Sequence, residues 1–308
     1  MDSSRPTVAD AACVGATASS PTQAASATTN EPRRLTHDGK RKIAPAFINA
    51  QEFAVAVHES PNLVAIIRCR LTPPAPPSQG GERGGTQERL HPTVTAHQFD
   101  PAFSRDGQWH AYVMSANSPQ MVLVIQDLRT RQERMFRPRE ARATARCPTF
   151  SADGTRVAFS LSDIGGHHIA SVNLQGSDLK LLTNSIGLNI APAYSPSGAQ
   201  IAFSSSRDGQ FEIYVMDADG GNVRRLTRSP GLDTRPAWSP DGRRLAFTSN
   251  RDGRYQIYVM NADGSGQRRV RDHAGRDDYA TWHPDGQHLL VVSEHAGKSD
   301  LYLLEVAA

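Results

Sequence analysis

The sequence predicts an all-β chain: a six-bladed β-propeller of four-stranded antiparallel blades, closed by an N-terminal strand, residues 32–36, in the last blade. Three observations predict it. A unit of 44 residues is written twice in near-identical words, PAYSPSGAQIAFSSSRDGQFEIYVMDADGGNVRRLT from Pro192 and PAWSPDGRRLAFTSNRDGRYQIYVMNADGSGQRRV from Pro236. Each unit holds four strand-like runs, and a period in the forties with four such runs is the pattern of a propeller blade. A piece of the unit's last run, Arg33-Arg34-Leu35-Thr36, stands by itself ahead of the first copy.

The copies can be followed in both directions. They begin at Pro45, Pro101, Pro148, Pro192, Pro236 and Ala280, with steps of 56, 47, 44, 44 and 44 residues. The long first step contains PPAPPSQGGERGGTQE, residues 73–88, a Pro- and Gly-rich run that reads as a flexible surface insertion within one domain. Within the copy from Pro236, turn residues divide four strands: PAWS, the turn Pro240-Asp241-Gly242, RLAFTS, the turn Arg251-Asp252-Gly253, YQIYVM, the turn Ala262-Asp263-Gly264-Ser265, and QRRVR. Glycine at such turns supplies the positive φ of tight hairpins. We label the strands a to d. An aromatic closes strand a in every copy (Phe47, Phe103, Phe150, Tyr194, Trp238 and Trp282), and such rings are expected in the core between neighbouring blades. The last copy ends in strand c, DLYLLEVAA, so RRLT at 33–36 is expected to pair with it and remove an open sheet edge.

Composition narrows the function. The chain has 308 residues, 34 basic and 31 acidic, a formal net charge of +3. That balance, with no basic stripe beyond Arg pairs in the d strands, does not point to nucleic acid. Residues 1–31 are rich in Ala, Ser, Thr and Pro and read as a disordered polar tail, with the propeller domain spanning 32–308. The opening MDSSRPTVAD carries no basic region before an apolar core, and no run of 18 apolar residues occurs, so the sequence as written predicts a soluble cytoplasmic protein without membrane insertion. Cys13, Cys69 and Cys147 are scattered and odd in number, which predicts neither a disulfide framework nor a zinc site.

The string P-A-W-S-P-D-G, A-F-x-S-x-R-D-G, I-Y-V-M-x-A-D-G, R-R-L-T resembles the WD40-like propeller repeat of the TolB family, most strongly over 187–290 and recognisably over 33–306. The resemblance implies a six-bladed ring and a protein-binding role: TolB proteins act in the periplasm, in the Tol–Pal envelope system, where the ring binds a peptidoglycan-associated lipoprotein. That family's pattern also has a signal sequence and an α/β domain ahead of the ring. Neither is read in this sequence, which points to a stand-alone TolB-like propeller, periplasmic if the true start lies upstream.

In a propeller the d–a connections and b–c turns share one face, around the mouth of the central channel. Three residues before each frame position stand Lys42, Gln98, Ala145, Asn189, Asp233 and Asp277; the b–c turns add Arg207, Asp208, Arg251 and Asp252. Gln98, Asn189, Asp233, Asp277, Arg207 and Arg251 are therefore the candidate binding residues for a protein, peptide or small polar ligand. Turn Asp and Arg also commonly satisfy one another, which is the structural alternative.

Other motifs are weaker. Asp217-Ala218-Asp219-Gly220-Gly221-Asn222 looks like a calcium loop, but its twelfth position is Arg228, so a hairpin turn is expected. His167-His168 would need metal-binding partners from other blades, such as His58 or His295. No G-x-S-x-G nucleophile elbow occurs. The reading is a monomeric, non-catalytic scaffold for a protein or peptide, without cofactor, envelope- or transport-related by resemblance. The alternative is a propeller enzyme, a metal-dependent polysaccharide lyase or hydrolase, or the accessory propeller of a peptidase system. A His/Asp/Glu cluster converging in space would favour the enzyme.

Overall fold

Each repeat folds as its turn residues dictate, and the observed structure is built from strands alone. The computed structural model describes residues 32–71, 87–115, 120–140 and 142–307. The tail at 1–31 and most of the expected insertion at 73–88 lie outside the described residues. A first short strand, β1 (Arg33–Arg34), precedes the repeats. The first repeat gives β2 (Lys42–Phe47), β3 (Glu52–Ser60), β4 (Leu63–Arg70) and β5 (Gln87–Arg89). The second gives β6 (Gln98–Phe103), β7 (Trp109–Ser115), β8 (Met121–Asp127) and β9 (Glu133–Phe136). The third gives β10 (Thr144–Phe150), β11 (Arg156–Asp163), β12 (Gly166–Asn173) and β13 (Lys180–Leu181). The fourth gives β14 (Asn189–Tyr194), β15 (Gln200–Ser205), β16 (Glu212–Asp217) and β17 (Arg224–Arg225). The fifth gives β18 (Asp233–Trp238), β19 (Arg244–Ser249), β20 (Gln256–Asn261) and β21 (Arg268–Arg269), and the sixth β22 (Arg276–Trp282), β23 (His288–His295) and β24 (Lys298–Glu305).

The described chain is an all-β propeller. Its strands form four separate four-stranded sheets and one eight-stranded sheet. This departs from the six separate sheets that the repeat count predicts. The second and third repeats are joined because β10 begins beside β8, with one parallel pair, Thr144 to Met121. Gln120, just ahead of that pair, donates from Nε2 to the carbonyls of Pro138 (2.8 Å) and Glu140 (2.9 Å), which draws the connection against the start of β8.

The sheet of the last repeat is completed from the front of the chain. β1 pairs antiparallel with β24, Arg33 opposite Leu303 and Arg34 opposite Tyr302. Leu35 N donates to Leu301 O at 2.7 Å. Thr36 Oγ1 donates to Asp300 Oδ1 at 2.8 Å and accepts from Leu301 N at 2.9 Å.

The apolar core runs between repeats, because each sheet buries both faces. Leu245 and Phe247 pack on Ile213 and Val215 of the repeat before. Leu289 and Val291 pack on Ile257 and Val259. Phe53 and Val55 of the first repeat pack on Leu290 and Leu301 of the last, so the series returns to its start. Of the aromatics that end strand a, Phe150, Trp238 and Trp282 are buried, whereas Phe47, Phe103 and Tyr194 are half-buried. The two tryptophans also tie repeats together: Trp238 Nε1 donates to Ala193 O and Trp282 Nε1 to Ala237 O, each at 3.1 Å.

Candidate functional site at the channel mouth

Strand a carries the same irregularity six times. Its register with strand b shifts between Ile43 and Ala46, Phe99 and Ala102, Arg146 and Thr149, Ile190 and Ala193, Thr234 and Ala237, and Asp278 and Thr281. The residue just before each frame position is forced into the left-handed region: Ala44 (φ 49°), Asp100 (50°), Cys147 (51°), Ala191 (52°), Arg235 (54°) and Tyr279 (54°). A bulge re-aims a side chain, and non-glycine residues held at positive φ persist only where the surrounding structure imposes it. The residue that follows is Pro in five repeats, and Pro has no N–H for the disrupted ladder to leave unpaired.

These six residues and the Pro or Ala after each line one small cavity of about 160 Å³. The channel thus presents Asp100, Cys147, Arg235 and Tyr279 alongside two alanines. Asp100 is already engaged: it accepts from Arg146 Nε at 2.6 Å, Arg146 Nη2 at 3.2 Å and Cys147 N at 2.9 Å. Burial pushes the Cys147 thiol up to about 12, with Asp100 adding to the effect, so it stays protonated and is no nucleophile at neutral pH. Arg235 lies over the Tyr279 ring at 4.3 Å and reaches the Tyr279 hydroxyl and Asp278 Oδ1, both at 3.3 Å.

A larger cavity of about 490 Å³ adjoins the channel, shares Arg235 and Tyr279 with it, and opens between the first and last repeats. Its walls include Arg41, Lys42, Arg276, Asp278 and Glu294. They come from the connection into β2, the starts of β2 and β22 and the end of β23, beside the b–c turn, so this is the face the sequence reading singled out.

The predicted residues stand near that face but within the walls of the blades. Asp233 is buried, accepts from Ser249 Oγ at 2.6 Å and Arg251 Nη2 at 2.7 Å, and has its carboxyl raised by burial against those two partners. Arg251 donates further to Ser249 Oγ and Gln267 Oε1 and lies 4.7 Å over the Tyr258 ring. Asn189 and Arg207 repeat the arrangement one blade earlier: buried Asn189 Oδ1 accepts from Ser205 Oγ at 2.8 Å and Arg207 Nη2 at 3.0 Å. Buried Asp277 accepts two bonds from Arg271, both 2.8 Å. Gln98 is buried, and its Nε2 has no hydrogen-bond partner among the described residues. The structure therefore brings Asp233 to Arg251 and Asn189 to Arg207 as pairs within single blades, with Gln98 and Asp277 each in its own. Lys42, at the matching position, is buried and donates from Nζ to Asp38 and the carbonyls of Lys40 and Ser299.

Sequence reasoning missed Asp100, Arg235 and Tyr279. The signal was two positions further on: the residue directly before the frame Pro, not the third before it, is the one that the bulge turns inward.

The calcium-like stretch is a turn between β16 and β17, where Asn222 Nδ2 donates to Asp217 Oδ2 at 2.6 Å and Gly220 takes φ 96°. His167 and His168 bond locally, to Ser162 Oγ and Gly165 O. Among the described residues no group of three or more His, Cys, Asp or Glu is placed to hold a metal ion. No described helix is long and apolar enough to cross a membrane.

A closed series of four-stranded repeats around a bulged, proline-lined channel defines a β-propeller. The chain matches the sequence model of the TolB β-propeller domain over residues 84–229 and 179–307, more than half its length, and it belongs to that family. Comparison with curated proteins returns no match. Among solved structures it is similar to a TolB-assigned protein from Agrobacterium tumefaciens, 26% identical, with a TM-score of 0.59 over 68% of this chain and 74% of that one. A TolB from Acinetobacter baumannii is 21% identical, TM-score 0.59, over 79% of this chain and 60% of that one. A gluconolactonase from Xanthomonas campestris shares the fold at 16% identity, TM-score 0.62, over 90% of this chain and 95% of that one.

Proposed function

We propose that the chain is a non-catalytic, TolB-like propeller that acts as a protein-binding scaffold, envelope- or transport-related, and that it docks its partner on the face of d–a connections and b–c turns. In this reading the eight-stranded sheet counts as two blades, and the ring has six. The observation that carries the proposal is apolar exposure. Ile164, in the b–c turn of the third repeat, is 92% exposed, and Ile186, in the d–a connection that follows, is 94% exposed. Leu188, two residues after Ile186, is also exposed, and its backbone bridges to His167. Ile164 and Ile186 are the two most exposed large aliphatic side chains of the described residues, and both stand on this one face, which favours a contact surface over a solvated turn.

The test is photo-crosslinking in cells. A photoreactive residue at position 164 or 186 is expected to capture one defined protein, and the same residue at Asp241, in an a–b turn of the opposite face, is not. The pair Ile164→Asp with Ile186→Asp should weaken binding of that protein by tenfold or more at unchanged melting temperature. Equal capture from both faces, or turnover of a lactone or acidic oligosaccharide by the purified chain, overturns the reading.

A further inference from the structure

The arginines around the channel are not equally engaged. Arg146, Arg251 and Arg271 each hold a carboxylate of their own, with closest contacts of 2.6, 2.7 and 2.8 Å. Arg235 does not. Its two polar contacts are both 3.3 Å, one to a phenol and one to a carboxylate that it shares. That carboxylate, Asp278, also accepts from Arg276 Nη2 at 3.0 Å, Thr248 Oγ1 at 3.0 Å and Tyr279 N at 2.9 Å. A carboxylate offers about four acceptor positions and Asp278 already takes four bonds, three of them on Oδ1, while the guanidiniums on either side of it keep unused N–H groups. One negative charge also balances only one of the two.

The third cation is Arg41. It lies exposed in the lining of the same cavity and forms no ion pair among the described residues. The second carboxylate of the lining, Glu294, is exposed as well. Lys42 is committed to Asp38 and to backbone carbonyls. The cavity of about 490 Å³ lies within the size range of small-molecule sites, and Tyr279, Ile43 and Val292 give it an apolar wall.

We propose that this cavity is an anion site, which takes a small molecule bearing a carboxylate or phosphate between Arg235, Arg276 and Arg41. Guanidinium forks match either group, and bonds to a charged acceptor are about twice as strong as neutral ones. The stacking of Arg235 on Tyr279 and of Arg276 over Tyr255, at 4.5 Å, holds both forks in place before the ligand arrives, which lowers the ordering cost. The inference does not rest on the scaffold proposal, since the crosslinking positions 164 and 186 belong to another repeat.

Titration calorimetry with citrate and with inorganic phosphate tests it, at constant ionic strength set by chloride. One saturable site per chain is expected for at least one probe: citrate alone assigns a carboxylate ligand, phosphate alone a phosphate ligand. Arg235→Gln should weaken binding about tenfold. Two changes at exposed side chains keep the test independent of stability: Arg41→Gln should weaken binding about threefold, and Glu294→Gln should strengthen it. The proposal is overturned if neither probe saturates the folded wild type, or if binding is the same in wild type, Arg41→Gln and Arg235→Gln.

Discussion

His110 on β7 is wholly buried, and neither ring nitrogen has a hydrogen-bond partner among the described residues. It stacks on Phe103 at 4.5 Å, Tyr112 at 5.1 Å and His91 at 5.3 Å. The nearby charges are Arg131 and Glu133, and Glu133 is taken by the Tyr112 hydroxyl (3.0 Å) and Gln126 Nε2 (3.1 Å). An imidazole in such a place is tolerated only neutral. Burial holds His110 well below its usual range, and His91 is lowered to about 4, by burial first and Arg131 second. The unfolded chain takes up these protons near pH 6.5, whereas the folded chain takes up that of His91 only near pH 4 and holds His110 neutral well below its usual range, so the unfolded state binds more protons in that window. Stability is therefore full above about pH 6.5 and is lost as pH falls toward 4, by about 3 kcal/mol for His91 alone. His110→Phe keeps the stack and removes both orphan nitrogens. Thermal melts at pH 7 and pH 5 should show a smaller drop for the variant than for the wild type, with no loss at pH 7. At this scale the sequence was only partly legible. Asp233 and Asp277 look like exposed turn acids because spacing cannot show that Arg251 and Arg271 close over them. Asp233→Lys would consequently report on folding, not on binding.

Strand d is short in the last four repeats, with β1 serving the sixth, and a single device holds it in two of them. In the fourth repeat, Thr227 Oγ1 donates to Glu212 Oε2 at 2.5 Å and accepts from Ile213 N at 2.9 Å, while Arg225 Nη2 donates to Glu212 Oε1 at 2.6 Å. In the last blade Thr36, Arg34 and Asp300 do the same, with Arg34 Nη2 at 2.6 Å from Asp300. The third repeat keeps the threonine half, Ile169 N donating to Thr183 Oγ1 at 2.9 Å. The arginine and threonine are visible in the words RRLT, and so was the strand they form. The acid was not, because it sits at the start of strand c, twelve or more residues away and as Glu in one blade and Asp in the other. Glu212 is fully buried, and Arg225 retains 17% of its side-chain exposure. Glu212→Gln removes that guanidinium's closest charge partner and leaves it only Asp208 Oδ2 at 3.6 Å, which should cost of order 2 kcal/mol. Urea unfolding checks it: the midpoint should fall without a change in slope, and Thr227→Ser, which keeps the hydroxyl, should cost far less.

The ring as a whole depends on where its two ends meet. The repeats were legible because their turn glycines and strand-a aromatics recur in register; the joined second and third repeats were not, because one backbone pair between β10 and β8 leaves no residue pattern. Closure was legible only through the displaced RRLT. Without β1, strand β24 would present an unpaired edge, and Asp300, 4% exposed at its side chain, would lose Arg34 and Thr36 together. Lys42 Nζ, 3.6 Å away, is too far and too occupied to replace them. Deleting residues 1–37 should therefore lower the melting temperature by roughly 10 °C or cause aggregation. Deleting residues 1–30 should leave it within about 2 °C. Chain length differs by only seven residues between the two, and Thr36→Val in the full chain removes even that difference. It should reproduce part of the loss, since the methyl cannot donate to Asp300 or accept from Leu301. Equal melting temperatures for both truncations and for Thr36→Val would show that the ring is held by packing of Phe53 and Val55 on Leu290 and Leu301, and not by the strand that joins its ends.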